Sequence, residues 1–342
     1  MHPRYPRSAI RAGNGRPDSG GPIVPWAVRA SDYAVPHMVW FLVRRLLANA
    51  VVVLGVAFIV FALVFLASDP ARALLPLDAP PAAIESLRRT LGFDQPIPIQ
   101  FVGFLGRAIQ GDFGTSTRTL EPALGLVLGR VPATLSLGIA GVCVALVIAL
   151  PLGIVAAMRP GSWVDVVARS VALVGQAVPG FVLGQVLILL FAVTWRLLPV
   201  SGSGSPAYLV LPAIVVGLGS AAGLTRILRS SLLDVLGRDY IRTARAKGVG
   251  PRRVVVRHAL RNAAIPFVTF LAFDLAAIVS GVIIVEVVFS YPGMGLLVVQ
   301  AVTNRDLPVI QAFTFVAALT IVTVNLGLDV VYGLLDPRIR LG

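Results

Sequence analysis

Val131 to Met158 reads VPATLSLGIAGVCVALVIALPLGIVAAM, a run without one charged side chain. An α-helix rises 1.5 Å per residue, so roughly 20 apolar residues cross the ~30 Å hydrocarbon layer of a bilayer. Five further runs of that kind flank it: Leu46–Ala67, Ser170–Trp195, Tyr208–Thr225, Asn262–Val285 and Leu307–Leu328. Of the six, only the fifth carries a charged residue, Asp274. Pro151, Pro179 and Pro212 fall inside runs, which bundled membrane helices tolerate because neighbours re-satisfy the freed backbone groups. The pattern predicts an all-α polytopic membrane protein with six transmembrane helices.

Composition agrees. Of 342 residues, 57% are hydrophobic and 13% charged, with mean hydropathy +0.87. Soluble chains carry roughly 25% charged residues, so the apolar excess here is read as facing lipid. The net charge of +13 does not read as nucleic-acid binding, because the arginines sit between apolar runs rather than on one basic domain. Cys143 is the one cysteine and can form no intrachain disulfide. His2, His37 and His258 match no metal-ligand spacing, and no HExxH stands in the chain. Neither a metal nor another cofactor is expected.

Basic residues set the orientation. With both termini in the cytoplasm, 21 lie inside: in the tail 1–45, the loop 159–169, the segment 226–261 and the C-terminus. Eight lie outside, six of them between Ala67 and Val131 beside Asp69, Asp78, Glu85, Asp94, Asp112 and Glu121. Long loops cross largely regardless of charge, so the short segments decide. Residues 1–37 are rich in Arg, Pro and Gly without periodicity and read as a disordered basic tail. Structure-like sequence begins at Met38, an alternative start to Met1. The first run is too long and too far from Met1 for a cleaved signal peptide, so 38–67 is expected to remain as a span. In the outer loop 68–130, a short helix is predicted with Ile84, Leu87 and Leu91 on one face, ended by Gly92. A second, Ile99–Ile109, presents Phe101, Val102, Leu105 and Ile109 and is expected in the headgroup plane or capping the bundle.

Between the fourth and fifth spans, Asp239 is a good N-cap, Tyr240–Lys247 has helix-forming composition, and Gly248 follows as a stop. Gly250-Pro251 then turn the chain, and Arg252 begins a helix leading into span five. Tyr240, Ala244 and Gly248 fall on one face of the short helix, Arg238, Arg242 and Arg245 on another. Small residues permit close approach and arginines meet acidic groups, which suits insertion into a partner's groove. The other reading is a positive-inside loop against anionic lipid.

The heptapeptide Arg242-Thr243-Ala244-Arg245-Ala246-Lys247-Gly248, with Arg257-His258-Ala259-Leu260-Arg261-Asn262-Ala263 and Ile265-Pro266 beyond it, resembles the coupling motif of ABC-importer permeases. The general motif is Glu-Ala-Ala, three residues, Gly, nine residues, Ile-x-Leu-Pro. Ala244, Gly248 and Leu260 are kept, while Arg242, Thr243, His258 and Arg261 depart in the manner of the dipeptide/oligopeptide branch. The same branch is resembled at Gly111–Ser116, Arg130–Leu135, Leu198–Gly202, Glu286 with Phe289–Gly295, and Asp336–Arg340. The resemblance runs from about Met38 to the end. It implies the type I importer fold, with 131–336 as the permease core (coupling segment 229–263), span one as an addition, and 337–342 as a cytoplasmic tail.

It also implies partners: a separate ABC ATPase gripping 239–248, a second homologous permease, and an extracytoplasmic solute-binding protein. The chain has no Gly-x-x-x-x-Gly-Lys-Ser/Thr loop and does not hold ATP by that device. Tyr240, Arg242, Thr243, Ala244, Arg245, Lys247 and Gly248 are the expected coupling residues. A charge in mid-span costs at least ~2.5–3.5 kcal/mol, so Asp274 should face a cavity or a partner. It either lines the translocation path, within reach of a peptide's amino group, or bridges helices as a paired or protonated acid. Gln176 is a second path candidate, with interhelical hydrogen bonding as its other reading. Glu286, Pro292, Gly293 and Gly295 are expected at the outer mouth, where a binding protein docks. Peptides are the expected cargo; nickel, opines, glutathione or oligosaccharides use similar subunits. A secondary transporter would show inverted repeats and paired broken helices, and none is legible.

Overall fold

In the computed structural model, residues 34–335 are described, apart from 68–69, 74, 76–78 and 91. The expected tail 1–37 (but for its last residues), Asp69, Asp78, Leu91 and the stretch 336–342 lie outside the described residues. The chain divides into two units, Met1–Arg44 and Arg45–Gly342. Of the first, the helical residues from Ala34 onward are described.

Helix α1 spans Ala34–Ala67. The segment that follows holds α2 (Pro81–Thr90), α3 (Ile97–Ile109) and α4 (Ala123–Leu128). Then come α5 (Val131–Met158), α6 (Trp163–Ala177) and α7 (Gly180–Leu187), the last running into a π-helical turn, Ile188–Thr194. After these lie α8 (Ala207–Leu236), α9 (Asp239–Ala246), α10 (Leu260–Val288), α11 (Met294–Thr303) and α12 (Leu307–Leu335). Among the described residues, 123–158, 207–236, 251–275 and 307–327 are long and apolar enough to cross a membrane, and 163–177 with 180–194 forms a bent fifth candidate. The expected first span falls in α1, whose apolar stretch covers Leu47–Ala62.

The third span departs from expectation. It is not one rod from Ser170 to Trp195 but two helices meeting at 103°. Pro179 is the cause: it offers no N–H, it disfavours helical backbone at Val178, and its own ψ of 137 is extended. Pro151, Pro212 and Pro266 stay inside continuous helices.

The core forms where small residues let backbones meet. On α5, Leu137, Gly141, Ala145, Ala149 and Gly153 are buried along one stripe. A Cβ added at Gly217 of α8 would stand 2.6 Å from Val144 and 2.8 Å from the Gly141 carbonyl oxygen. That is the close small-residue packing expected of helices in lipid. Helix α10 joins this pair through Ala263 and Phe267, which share a cluster with Leu224, Leu228 and Leu232 of α8.

In the segment 79–130, Gly92 ends α2 with φ +71, as expected. Helix α3 turns a different face inward. Phe101 packs edge-on to Phe58 of α1 at 5.1 Å, and Phe104 and Ala108 are buried, whereas Val102 and Ile109 are 68% and 83% exposed. The ring contacts running from Phe104 through Phe113 to Phe315 of α12 select that face. The following loop is pinned to the α11–α12 corner. Asp306, nearly buried, accepts from the Ser116 hydroxyl and from the Thr117 N–H (3.3 Å), while Arg118 Nη1 donates to Asn304 Oδ1 at 2.7 Å.

Candidate functional site

After α8 ends at Leu236, Gly237 and an extended Arg238 redirect the chain into α9. Arg238, not Asp239, occupies the N-cap position, and no side chain caps the helix. Asp239 sits instead in the first turn, where an acid complements the helix dipole. It meets Arg242 at 3.7 Å, both side chains exposed, a pairing worth little in water. Lys247 closes the helix and Gly248 adopts φ +79, the left-handed stop expected of it. The Val249 N–H returns to the Ala244 carbonyl at 3.2 Å. Pro251–Arg253 and a π-helical stretch, Val254–Ala259, then run directly into α10.

Two contacts fix α9 to the bundle. Ile241 is 0% exposed, packed in the cluster that holds Leu228, Leu232, Val254 and Ala259. Full burial of such a side chain contributes about 1.5–3 kcal/mol. The Tyr240 hydroxyl accepts from Asn262 Nδ2 at 2.7 Å, tying the helix to α10. Arg242, Thr243, Arg245, Lys247 and Gly248 are exposed and Ala244 is half-buried. The result is a short, anchored helix presenting a basic surface. Ile241 was not among the residues singled out from sequence, although it is the one large apolar side chain of the helix.

Asp274 is half-buried on α10, beside the Ser220 hydroxyl of α8, and its Oδ2 is buried without a hydrogen-bond partner. Gln176, exposed at the end of α6, accepts from Arg226 Nη1 of α8 at 3.4 Å. Both path candidates thus lie against α8, at Ser220 and Arg226, and no hydrogen bond joins them among the described residues.

Of the residues expected at the outer mouth, Glu286 is completely buried and Gly293 and Gly295 are buried with it, so all three pack within the chain. The Glu286 carboxylate accepts from Thr134 Oγ1 (2.6 Å) and from the N–H groups of Gly295 (2.6 Å) and Leu296 (3.1 Å). The Thr134 hydroxyl in turn accepts from the Met294 N–H at 2.8 Å. Glu286 therefore neutralises the N-terminal turn of α11, where unpaired N–H groups and the helix dipole favour an anion. A Cβ at Gly293 would fall 2.0 Å from Glu286 Oε1, and one at Gly295 2.6 Å from the Ile283 Cα. Pro292 is half-buried, and its carbonyl accepts from Arg130 Nη1 at 3.2 Å. The stretches Arg130–Leu135 and Glu286–Gly295, read separately in sequence, fold onto one another.

A further pair was missed from sequence. Asp165, 0% exposed in the first turn of α6, holds Arg229 of α8 bidentately: Nε to Oδ1 at 2.6 Å and Nη2 to Oδ2 at 2.8 Å. The Gly161 N–H donates to Oδ2 at 3.0 Å, and Arg169 stands 3.6 Å from Oδ1.

A multi-pass helical bundle with a short basic helix anchored between two of its spans is the arrangement of an ABC-importer permease. The chain belongs to the family of binding-protein-dependent transport system inner membrane components: that family's model matches residues 149–341, and the model of its N-terminal part matches 38–138. The chain is 37% identical over 309 residues to a probable peptide ABC transporter permease, y4tP, of Sinorhizobium fredii, covering 88% of this chain and 99% of that one. It is 39% identical over 304 residues to the glutathione transport system permease GsiC of Escherichia coli strain K12, covering 89% and 99%. Among solved structures it resembles a chain of the MetNI methionine ABC transporter in an inward-facing conformation, with TM-score 0.53 at 19% identity over 62% of this chain and 96% of that one. That likeness establishes the fold. Together they make this chain an ABC-importer permease of the dipeptide/oligopeptide branch.

Proposed function

We propose that this permease forms half of the path by which di- or oligopeptides are imported across the plasma membrane at the expense of ATP hydrolysed in a separate chain. The observation that carries the reading is α9: a basic, exposed helix held to the core by Ile241 and by the Tyr240–Asn262 hydrogen bond. A helix fixed in this way transmits displacement to the spans instead of folding aside. The ATPase grips residues 239–248, a second permease supplies the matching helix, and an extracytoplasmic binding protein delivers cargo. Spans two to six, 131–336, are the core of the path, and both termini lie in the cytoplasm. ATP must bind the outward-facing state better than the inward-facing one for the cycle to turn.

Relatives named for peptide and for glutathione transport support a short peptide as cargo. Asp274, whose Oδ2 lacks a hydrogen-bond partner among the described residues, offers a carboxyl group to a peptide ammonium. Uptake into proteoliposomes holding the whole importer tests the cargo. ATP-dependent accumulation of labelled dipeptide, reduced selectively in Asp274→Asn, is expected. Uptake of nickel or an oligosaccharide instead would overturn the peptide reading.

A further inference from the structure

Asp165 and Arg229 stand outside the candidate site, yet they form the best-made polar contact of the described residues. Asp165 is fully buried while the Arg229 side chain is 22% exposed, and the cost of taking the carboxylate out of water is offset only by excellent geometry and further hydrogen bonds. Both are present: two short guanidinium contacts and the Gly161 N–H on the same carboxylate. The location gives the pair its meaning. Arg229 lies on α8, which continues unbroken to Leu236, one residue before Gly237 and the turn into α9. Ile241 of α9 packs in the same cluster as Leu228 and Leu232, the neighbours of Arg229 along α8. The inner part of α8 and helix α9 are therefore one packed body.

Helix α6 is a different case. Between it, α5 and α8 lies an apolar cavity, lined by Ile148, Leu152, Ala168, Gly175, Leu218 and Ala222. Small residues pack α6 on α8 here, with Ala168 buried and a Cβ at Gly175 falling 3.4 Å from the Leu218 carbonyl oxygen, and where the cavity intervenes facing side chains lose dispersion contacts. Polar contacts hold it at both ends: Asp165 to Arg229 in its first turn, and Gln176 to Arg226 just before the break at Pro179.

We infer that Asp165 and Arg229 are positioning residues that fasten the broken third span to the helix bearing α9, so that movement of α9 is delivered to α6 and the bend at Pro179. This rests on the reading of α9 as the ATPase-coupling helix. A bidentate Arg–carboxylate pair whose acid is buried is directional and stiff, as a link of this kind requires.

The test uses the complete importer in nanodiscs, with Cys143→Ser as background and spin labels at Trp163→Cys on α6 and Asp234→Cys on α8. Both positions are exposed. The inter-label distance is expected to be the same without nucleotide and with ATP and vanadate. In Asp165→Asn it becomes nucleotide-dependent, and uptake per ATP hydrolysed falls on the order of tenfold, within the range of allosteric coupling free energies. A distance that changes with nucleotide in the Asp165 protein overturns the link, as does a constant distance in Asp165→Asn. If Asp165→Asn does not assemble, the measurement on the Asp165 protein decides alone. Failure of any ATPase to bind would overturn the coupling reading instead, and the inference with it.

Discussion

Ile241 shows how much one side chain can decide in a segment otherwise made of arginines. Ile241→Ala removes a fully buried side chain and should cost about 2–5 kcal/mol locally. The expected outcome is a protein that inserts normally but recovers little ATPase on purification; undiminished recovery would show that α9 needs no such anchor. Gly295→Ala places a Cβ 2.6 Å from the Ile283 backbone and should destabilise the bundle by about 1–3 kcal/mol. Gly219→Ala, which meets nothing within 4 Å, is the control and should leave the melting temperature in detergent unchanged or raised. Legibility at this scale followed locality. Gly248 could be read because a left-handed helix stop is a matter of neighbours in sequence. Ile241 could not, since a lone apolar residue makes no periodic stripe. Asp165 was passed over because acids weigh little in assigning orientation. Glu286 sits at the end of an apolar run and reads as interfacial; only the return of the chain through Pro292–Gly295 buries it.

Among the elements, apolar runs gave the positions of the spans, because lipid demands a continuous hydrocarbon-length helix. The break in the third is signalled in the same sequence by Pro179. Proline tolerance depends on neighbours, and α6–α7 bends where α5, α8 and α10 stay whole. For α3 the buried face was set by Phe58 and Phe113, contacts beyond any periodicity of its own. Helix α9 is the element on which the proposed function turns. Gly248→Asp asks a branched, charged residue to take φ +79, which costs about 1–2 kcal/mol, and sets a negative charge beside the basic face. Insertion should be normal and ATP-dependent uptake lost. Normal uptake by this variant would remove α9 from the coupling role.

At the scale of the whole molecule, the excess of 21 basic residues over eight predicts that α9 faces the cytoplasm. In the Cys143→Ser background, a membrane-impermeant thiol reagent added to intact cells should label Arg118→Cys and spare Lys247→Cys. The reverse pattern would invert the protein in the membrane. Everything proposed for α9 depends on a second protein being there to move it. The most direct measurement is therefore a mild-detergent pull-down of the tagged chain, with co-purifying proteins identified by mass spectrometry. An ATPase carrying a phosphate-binding loop and a second permease should come down together, and both should be depleted from the Ile241→Ala preparation. A chain that purifies alone, and still transports in proteoliposomes without ATP, would contradict the ATP-driven mechanism at its root.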